Sequence, residues 1–193
     1  MQVFSVHDFL HVLGYGSRMR SGGTPLALGL ALLGISGCDP VLEDRIAQLG
    51  PETPGVRPGP FHRPGQPCLA CHGEGGRARP QLSVAGTVYR DPADTRPVDS
   101  AEVILIDATQ ARYTATTNCV GNFFVTPGDF APVLPLWTTV RLGTFSIDME
   151  SAVHLNGDCA SCHTDPLARA SAGHVFLTDD PALIGTVPEA RCN

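Results

Sequence analysis

Short runs in which hydrophobic and polar residues alternate fill the middle of the chain. They cover residues 82–89, 101–107, 111–118, 123–125, 136–142 and 144–149, and are separated by turn signals and by the polar stretch 90–100. Alternation with a period of two is typical of half-buried strands, and no helical period appears in this region. The pattern predicts a mainly β domain over 81–149, a small sandwich or barrel of about six strands.

A different pattern precedes this domain. Leu26 to Ile35 is a ten-residue apolar run, which is shorter than the about 20 residues that span a bilayer but has the length of a signal-peptide core. Ile35-Ser36-Gly37-Cys38 follows it and resembles the bacterial lipobox, whose cysteine is lipidated and becomes the mature N-terminus. We therefore expect residues 1–37 to be an export signal and Cys38 to carry a lipid anchor. Residues 1–17 lack the usual positive charge, so Met19 is an alternative start.

The segment 38–67 is predicted to be the anchor and a linker. Residues 39–49 have the composition of a short helix, whereas residues 50–67 contain six prolines and four glycines. Such a composition resists regular structure and behaves as a semi-rigid spacer. We expect it to hold the following domain away from the membrane.

Two pentapeptides carry the candidate chemistry, Cys68-Leu69-Ala70-Cys71-His72 and Cys159-Ala160-Ser161-Cys162-His163. Cys-x-x-Cys-His is the attachment signature of a c-type haem. The two thiols form thioethers with the haem vinyl groups, and the histidine that follows is the proximal ligand of the iron. Two copies predict two covalently bound haem c groups, held in a first haem segment (68–80) and a second one with a C-terminal strand (150–193). The predicted thioether residues are Cys68, Cys71, Cys159 and Cys162, and the predicted proximal ligands are His72 and His163.

A second axial ligand is expected for each iron of an electron-transfer haem. His62 lies six residues before the first motif, and His154 lies five residues before the second. This parallel predicts that His62 and His154 are the distal ligands, each on its own haem or on the other one. His174, in the expected final strand, and Met149, whose thioether would raise the haem potential, are the alternatives.

The remaining cysteines form an even pair. Seven cysteines, less the lipid anchor and the four thioether residues, leave Cys119 and Cys192. An exported chain reaches an oxidising compartment, so the two are expected to form a disulfide. The alternative is two separate thiols.

The order of the β segments carries a family resemblance. The strings AGTVY, PVDSAEVILID and YTATTNCVGNFFV, in this order, resemble the carboxypeptidase-regulatory-like, or transthyretin-like, β-sandwich. With one Cys-x-x-Cys-His motif on each side, the whole arrangement is similar to a group of bacterial lipoproteins with two c-type haem motifs around such a domain. The resemblance implies a scaffold or binding platform flanked by loop-rich haem segments.

These observations favour a membrane-anchored di-haem cytochrome of the cell envelope, on the periplasmic face or the outer membrane. It would act as an electron carrier rather than an enzyme, with other envelope redox proteins as partners. The formal net charge is −6 and no basic stretch suggests nucleic-acid binding. The alternatives are a di-haem peroxidase, a binding module whose haems act as sensors, and a zinc protein. Structural zinc usually pairs Cys-x-x-Cys units about 15–20 residues apart, whereas 87 residues lie between Cys71 and Cys159.

Overall fold

The structure is a computed structural model that describes residues 40–52, 56, 58–92, 95–164 and 171–192. The predicted export signal and Cys38 lie outside the described residues. Within these ranges there are three short helices, α1 (Pro40–Gln48), α2 (Leu69–His72) and α3 (Pro181–Ile184), and a 3-10 turn at Cys159–Ser161. None of the helices in the described part of the chain is long and apolar enough to cross a bilayer.

Most of the regular structure is β, in two sheets. The first sheet is centred on β1 (Val84–Tyr89), which pairs with β4 (Asn122–Val125), β7 (Gly157–Asp158) and β8 (Val175–Phe176). The second sheet has the order β3 (Arg112–Thr116), β2 (Glu102–Ile106), β5 (Trp137–Leu142) and β6 (Phe145–Asp148), with every pair antiparallel. The mainly β prediction is confirmed, and the six predicted strands agree with β1 to β6 within two residues at each end.

One hydrophobic cluster joins the two sheets. Its buried members alternate along each strand, as the period of two predicts. The first sheet contributes Val84, Val88, Phe123 and Val125, and the second contributes Val103, Leu105, Ala115 and Val140. All six residues of β1 are buried, because β1 has hydrogen-bonded neighbours on both edges and later segments cover its outer face.

The strands β7 and β8 join the sheet from the segment that follows the six predicted strands. Both run parallel to β1: Val84 and Ala85 pair with Gly157 and Asp158, and Val88 and Tyr89 pair with Val175 and Phe176. A final strand near His174 was expected and is present as β8. The strand β7 was not expected, because Gly157 and Asp158 are too few to show an alternation of hydrophobic and polar residues.

The proline-rich segment lacks helices and strands in its described residues, as its composition predicts. It folds back on the end of α1, and the contacts are Arg63 Nη2 to the Gly50 carbonyl (3.0 Å), Arg63 Nε to Glu52 (3.3 Å) and Gln66 Nε2 to the Leu49 carbonyl (3.1 Å). Side-chain donors thus satisfy backbone carbonyls just beyond the end of α1, and proline and glycine content does not predict these contacts.

A disulfide joins Cys119 and Cys192, the two cysteines left over in the sequence count. Their Cα atoms are 5.1 Å apart, and 73 residues separate them along the chain. Cys119 lies in the turn before β4, so the bond ties the C-terminal tail to the first sheet. Closing a loop of this length stabilises a fold by about 4 kcal/mol in the chain-entropy estimate.

Asp107 organises the turn between β2 and β3. Its Oδ1 accepts the N–H groups of Thr109 (2.8 Å) and Ala111 (2.9 Å) together with the Thr109 hydroxyl, and its Oδ2 accepts the Val133 N–H (3.0 Å). These hydrogen bonds, first that of Val133 and then that of the Thr109 hydroxyl, lower the pKa of Asp107 below its ordinary value. The ionised carboxylate is thus the form that the turn favours.

This lowered pKa predicts an acid-sensitive contribution to stability. In the folded chain Asp107 binds its proton less readily than in the unfolded chain, so its contribution is present above the ordinary aspartate pKa and is lost as the pH falls through the folded value. Asp107→Asn should therefore lower the free energy of unfolding at pH 6, and its difference from the wild type should shrink on acidification below pH 4. Urea unfolding at several pH values measures this. Asp129→Asn, at an exposed carboxylate bonded to Thr126, is the control, and a difference independent of pH would contradict the prediction.

Candidate functional site

The two Cys-x-x-Cys-His motifs are distant in sequence but meet at the start of β1. The first motif occupies Cys68 and α2, and its His72 carbonyl accepts the N–H of Leu82 (2.8 Å), two residues before β1. The second motif begins at Cys159, directly after β7, which pairs with the first two residues of β1. One strand therefore fixes the position of both motifs.

Two glycines permit the second motif to approach this closely. Cys159 lies against Gly86, where a Cβ atom would stand 2.9 Å from the Cβ of Cys159 and 2.9 Å from the Phe123 ring. At Gly157, a Cβ would meet the Ser83 carbonyl at less than contact distance. Both positions are close backbone approaches of the kind for which glycine is required.

The two motifs adopt the same local turn. The N–H of each motif histidine donates to the carbonyl of the first motif cysteine, His72 to Cys68 (2.9 Å) and His163 to Cys159 (2.9 Å). The second cysteine of each motif also donates to that carbonyl, at 3.2 Å from Cys71 and 3.3 Å from Cys162. Each motif thus closes one helical turn, although only the first belongs to an α-helix.

Both motif histidines are also held through the same ring nitrogen. Nδ1 of His72 is 2.7 Å from the Pro80 carbonyl, and Nδ1 of His163 is 2.9 Å from the Gly173 carbonyl. A carbonyl can only accept, so Nδ1 is the donor, and in the neutral ring Nε2 is the nitrogen with the free lone pair. A backbone partner of this kind fixes the tautomer and the orientation of a metal-binding histidine. Each ring is therefore held in an orientation in which Nε2 can bind a metal.

The four motif cysteines are free thiols. Burial and then the negative charge of Asp158 raise the pKa of Cys68 and of Cys159 to about 12, and Cys68 itself contributes to the shift of Cys159. The charge of Asp158 thus reaches the first cysteine of each motif, and both are neutral thiols at pH 7. Cys71 is half-buried and Cys162 is exposed.

Asp158 lies between the two motifs. It is only 7% exposed, and burial raises the pKa of its carboxyl to about 6, against the opposing effect of hydrogen bonds from the Leu69 and Cys68 N–H groups. These N–H groups begin the first motif, while Asp158 directly precedes the second. The string Gly-Asp-Cys gave no signal of this role in the sequence.

His62 is brought beside the first motif. The centroid of its ring is 5.9 Å from that of His72, and the planes are tilted by 44°. Its Nδ1 contacts the Gly59 carbonyl, which leaves Nε2 without a partner from its own loop. Of the four candidate distal ligands, His62 is the one with a ring contact to a motif histidine among the described residues.

A small polar network holds the loop that carries His62. Thr87 Oγ1 accepts the Gly65 N–H (2.7 Å) and donates to Asn122 Oδ1 (2.8 Å). Asn122 Nδ2 donates to the carbonyls of His62 (3.1 Å) and Pro60 (3.2 Å). Sequence reasoning missed Thr87 and Asn122 because both read as ordinary strand residues and their partners are mostly backbone atoms.

The other candidate ligands lie in different surroundings. His154 is exposed. His174 is 8% exposed and its ring centroid lies 4.4 Å from that of Tyr89, directly after the Gly173 carbonyl that holds His163. Met149 follows β6 in the second sheet, and its N–H donates to the Thr138 carbonyl (2.9 Å). The structure therefore does not single out a distal ligand for the second motif.

Comparisons with known proteins give no family for the chain. No protein-family model, no curated protein and no solved structure matches it. Among the described residues, no group of three or more His, Cys, Asp or Glu side chains is arranged to hold a metal ion by itself. The function is therefore argued from the geometry of the two motifs.

The polar network around Thr87 gives a stability prediction. Thr87→Val keeps the shape but leaves the Gly65 N–H and Asn122 Oδ1 without their partner, so the free energy of unfolding should fall by about 2 kcal/mol. Hydrogen exchange of the Gly65 amide should also become faster.

Thr138→Val is the matched control. Thr138 Oγ1 is buried and has no hydrogen-bond partner in the described part of the chain, so its replacement should be neutral or slightly stabilising. Equal losses of stability in both variants would show that volume, and not the Thr87 network, determines the effect.

Proposed function

We propose that this protein is a lipid-anchored di-haem c-type cytochrome that transfers electrons in the cell envelope. The observation that carries the proposal is the duplicated motif geometry. Each Cys-x-x-Cys-His closes the same turn, and each histidine offers Nε2 because a backbone carbonyl holds Nδ1. Such a carbonyl partner is what orients a histidine that binds a metal.

The residues present suit a covalently attached haem. Cys68 and Cys71 would hold one porphyrin, Cys159 and Cys162 the other, and all four are free while the remaining pair in the described chain is oxidised. His72 and His163 would supply the proximal nitrogens. A bound haem iron supplies one-electron chemistry, cycling between its ferric and ferrous forms.

His62 is the favoured distal ligand of the first haem. Imidazole nitrogens bind metals at about 2 Å, so rings whose centroids are 5.9 Å apart are close enough to share one iron. The Thr87–Asn122 network keeps His62 at this position. For the second haem, His154, His174 and Met149 remain the candidates.

The adjacency of the motifs supports electron transfer between the haems. The His72 carbonyl ties the first motif to the residues before β1, β7 ties the second motif to β1, and the charge of Asp158 reaches the first cysteine of both motifs. Haems attached to two motifs held by the same strand would be suited to exchange an electron. An iron held by both His72 and His62 would have no open position for peroxide, which favours the carrier over the peroxidase alternative for the first haem.

The rest of the chain would anchor and support this pair. The helix α1 begins two residues after the proposed lipid attachment at Cys38 and contacts α2. Its Glu43 also forms an ion pair at 2.6 Å with Arg77, in the segment that follows α2. This arrangement supports a first haem near the membrane, with redox proteins of the envelope as donor and acceptor. The two sheets would form the transthyretin-like β-sandwich that acts as the scaffold.

Haem attachment is directly testable. When the full chain is produced together with a c-type haem attachment system, we expect intact mass to increase by two haems and the reduced protein to show the sharp α-band of haem c. The variants Cys68→Ala/Cys71→Ala and Cys159→Ala/Cys162→Ala should each retain one haem. A colourless chain would contradict the proposal, and stoichiometric zinc in that chain would support the zinc alternative.

The distal assignment predicts a specific spectroscopic change. His62→Ala should convert one of the two irons from low-spin to high-spin in the low-temperature EPR spectrum and leave the other unchanged. His154→Ala, His174→Ala and Met149→Ala then test the second iron, and in the Met149 variant an unchanged potential removes the thioether as its ligand. Two low-spin signals in His62→Ala would contradict the assignment of His62.

A further inference from the structure

Asp158 occupies a position that the backbone fixes on both sides. It ends β7, where it pairs with Ala85 of β1. Its N–H donates to Asn156 Oδ1 (3.0 Å), and its carbonyl accepts the Ser161 hydroxyl (2.7 Å). The side chain is therefore directed by a rigid frame, one residue before the second motif.

From this frame the carboxylate reaches across to the first motif. The N–H groups of Cys68 and Leu69 face it and lower its pKa, which favours the charged form. They lie at the start of α2, where a helix leaves its first N–H groups unpaired. Hydrogen bonds to a charged acceptor are stronger than neutral ones. A side chain of one motif segment thus holds the backbone of the other.

The carboxylate is also an enclosed negative charge. Only 7% of the surface of Asp158 is exposed, and its Oδ1 has no hydrogen-bond partner among the described residues. Its charge acts on the thiols of Cys68 and Cys159, whose pKa it raises. In a poorly hydrated region such a charge acts strongly on its neighbours.

We propose that Asp158 is the positioning residue that locks the two Cys-x-x-Cys-His segments together and that its buried charge lowers the reduction potential of the haem pair. The second part rests on the proposed function. Oxidised haem carries one more positive charge than reduced haem, so a nearby carboxylate stabilises the oxidised form. The first part needs no haem, because the hydrogen bonds join two segments of the polypeptide.

Two variants separate charge from contact. Asp158→Asn keeps the size of the side chain and one carbonyl acceptor but removes the charge, and Asp158→Ala removes the contact as well. Asp148→Asn is the matched control, because Asp148 is exposed on β6 of the second sheet and its Oδ1 accepts the Thr139 hydroxyl (2.6 Å). All proteins are compared as full-length chains at pH 8.

The expected results are distinct for the two parts. In a redox titration, Asp158→Asn should raise the midpoint potential of at least one haem, whereas Asp148→Asn should leave both potentials unchanged. In hydrogen exchange, the Cys68 and Leu69 amides should exchange about tenfold faster or more in Asp158→Ala, the equivalent of losing one hydrogen bond to a charged group.

Each part can fail separately. Potentials that are equal in wild type and Asp158→Asn, with two haems present by mass, would overturn the role of the charge. Unchanged exchange of the Cys68 and Leu69 amides would overturn the lock. If the wild-type chain takes up no haem, the proposed function and the redox part fail together, and exchange in the haem-free chain still decides the lock. If Asp158→Ala does not fold, the weaker acceptor of Asp158→Asn provides the exchange measurement.

Discussion

The hydrogen bonding of β1 is the constraint on which the rest of the structure depends. This strand pairs with β4 on one side and with the parallel strands β7 and β8 from the end of the chain, and all its residues are buried. A strand in this position cannot shift its register without reversing which side chains face the core. The same strand therefore positions the second motif, which follows β7, and the loop whose Gly65 is hydrogen-bonded to Thr87. The loop precedes β1 in the chain, and the motif lies far after it.

The sequence predicted well whatever depends on local pattern. The strands β1 to β6 alternate because each has one face toward a common core, and the motif residues are recognisable because thioether attachment requires two cysteines and a histidine at fixed spacing. The composition of residues 39–49 likewise predicted the short helix α1. In contrast, β7 consists of Gly157 and Asp158, whose pairing with β1 is contributed entirely by the backbone. A contact between backbone atoms leaves no pattern of hydrophobic and polar residues in the sequence.

The same reasoning explains what the sequence did not reveal about the site. Proline and glycine in the segment 50–67 predict that regular structure is absent, but they do not predict which carbonyls accept side-chain hydrogen bonds. The structure shows such bonds at Leu49, Gly50 and Pro60. Asp158 was overlooked because a lone aspartate in a sequence is usually solvated. Its importance depends on burial and on two N–H groups contributed from about 90 positions away in the chain, and neither can be read from neighbouring residues.

The surroundings of the two motifs differ in a way that bears on how a haem pair would work. The first motif has a candidate distal ligand in a loop that is hydrogen-bonded to the sheet, and it lies beside α1. The candidates near the second motif are an exposed His154 and a buried His174 packed on Tyr89. Two haems held in such unequal environments would differ in potential, since solvent exposure and axial ligation both set it. An unequal pair would favour transfer from the haem of lower potential to the haem of higher potential, so the proposed function would give the asymmetry of the scaffold a direct consequence.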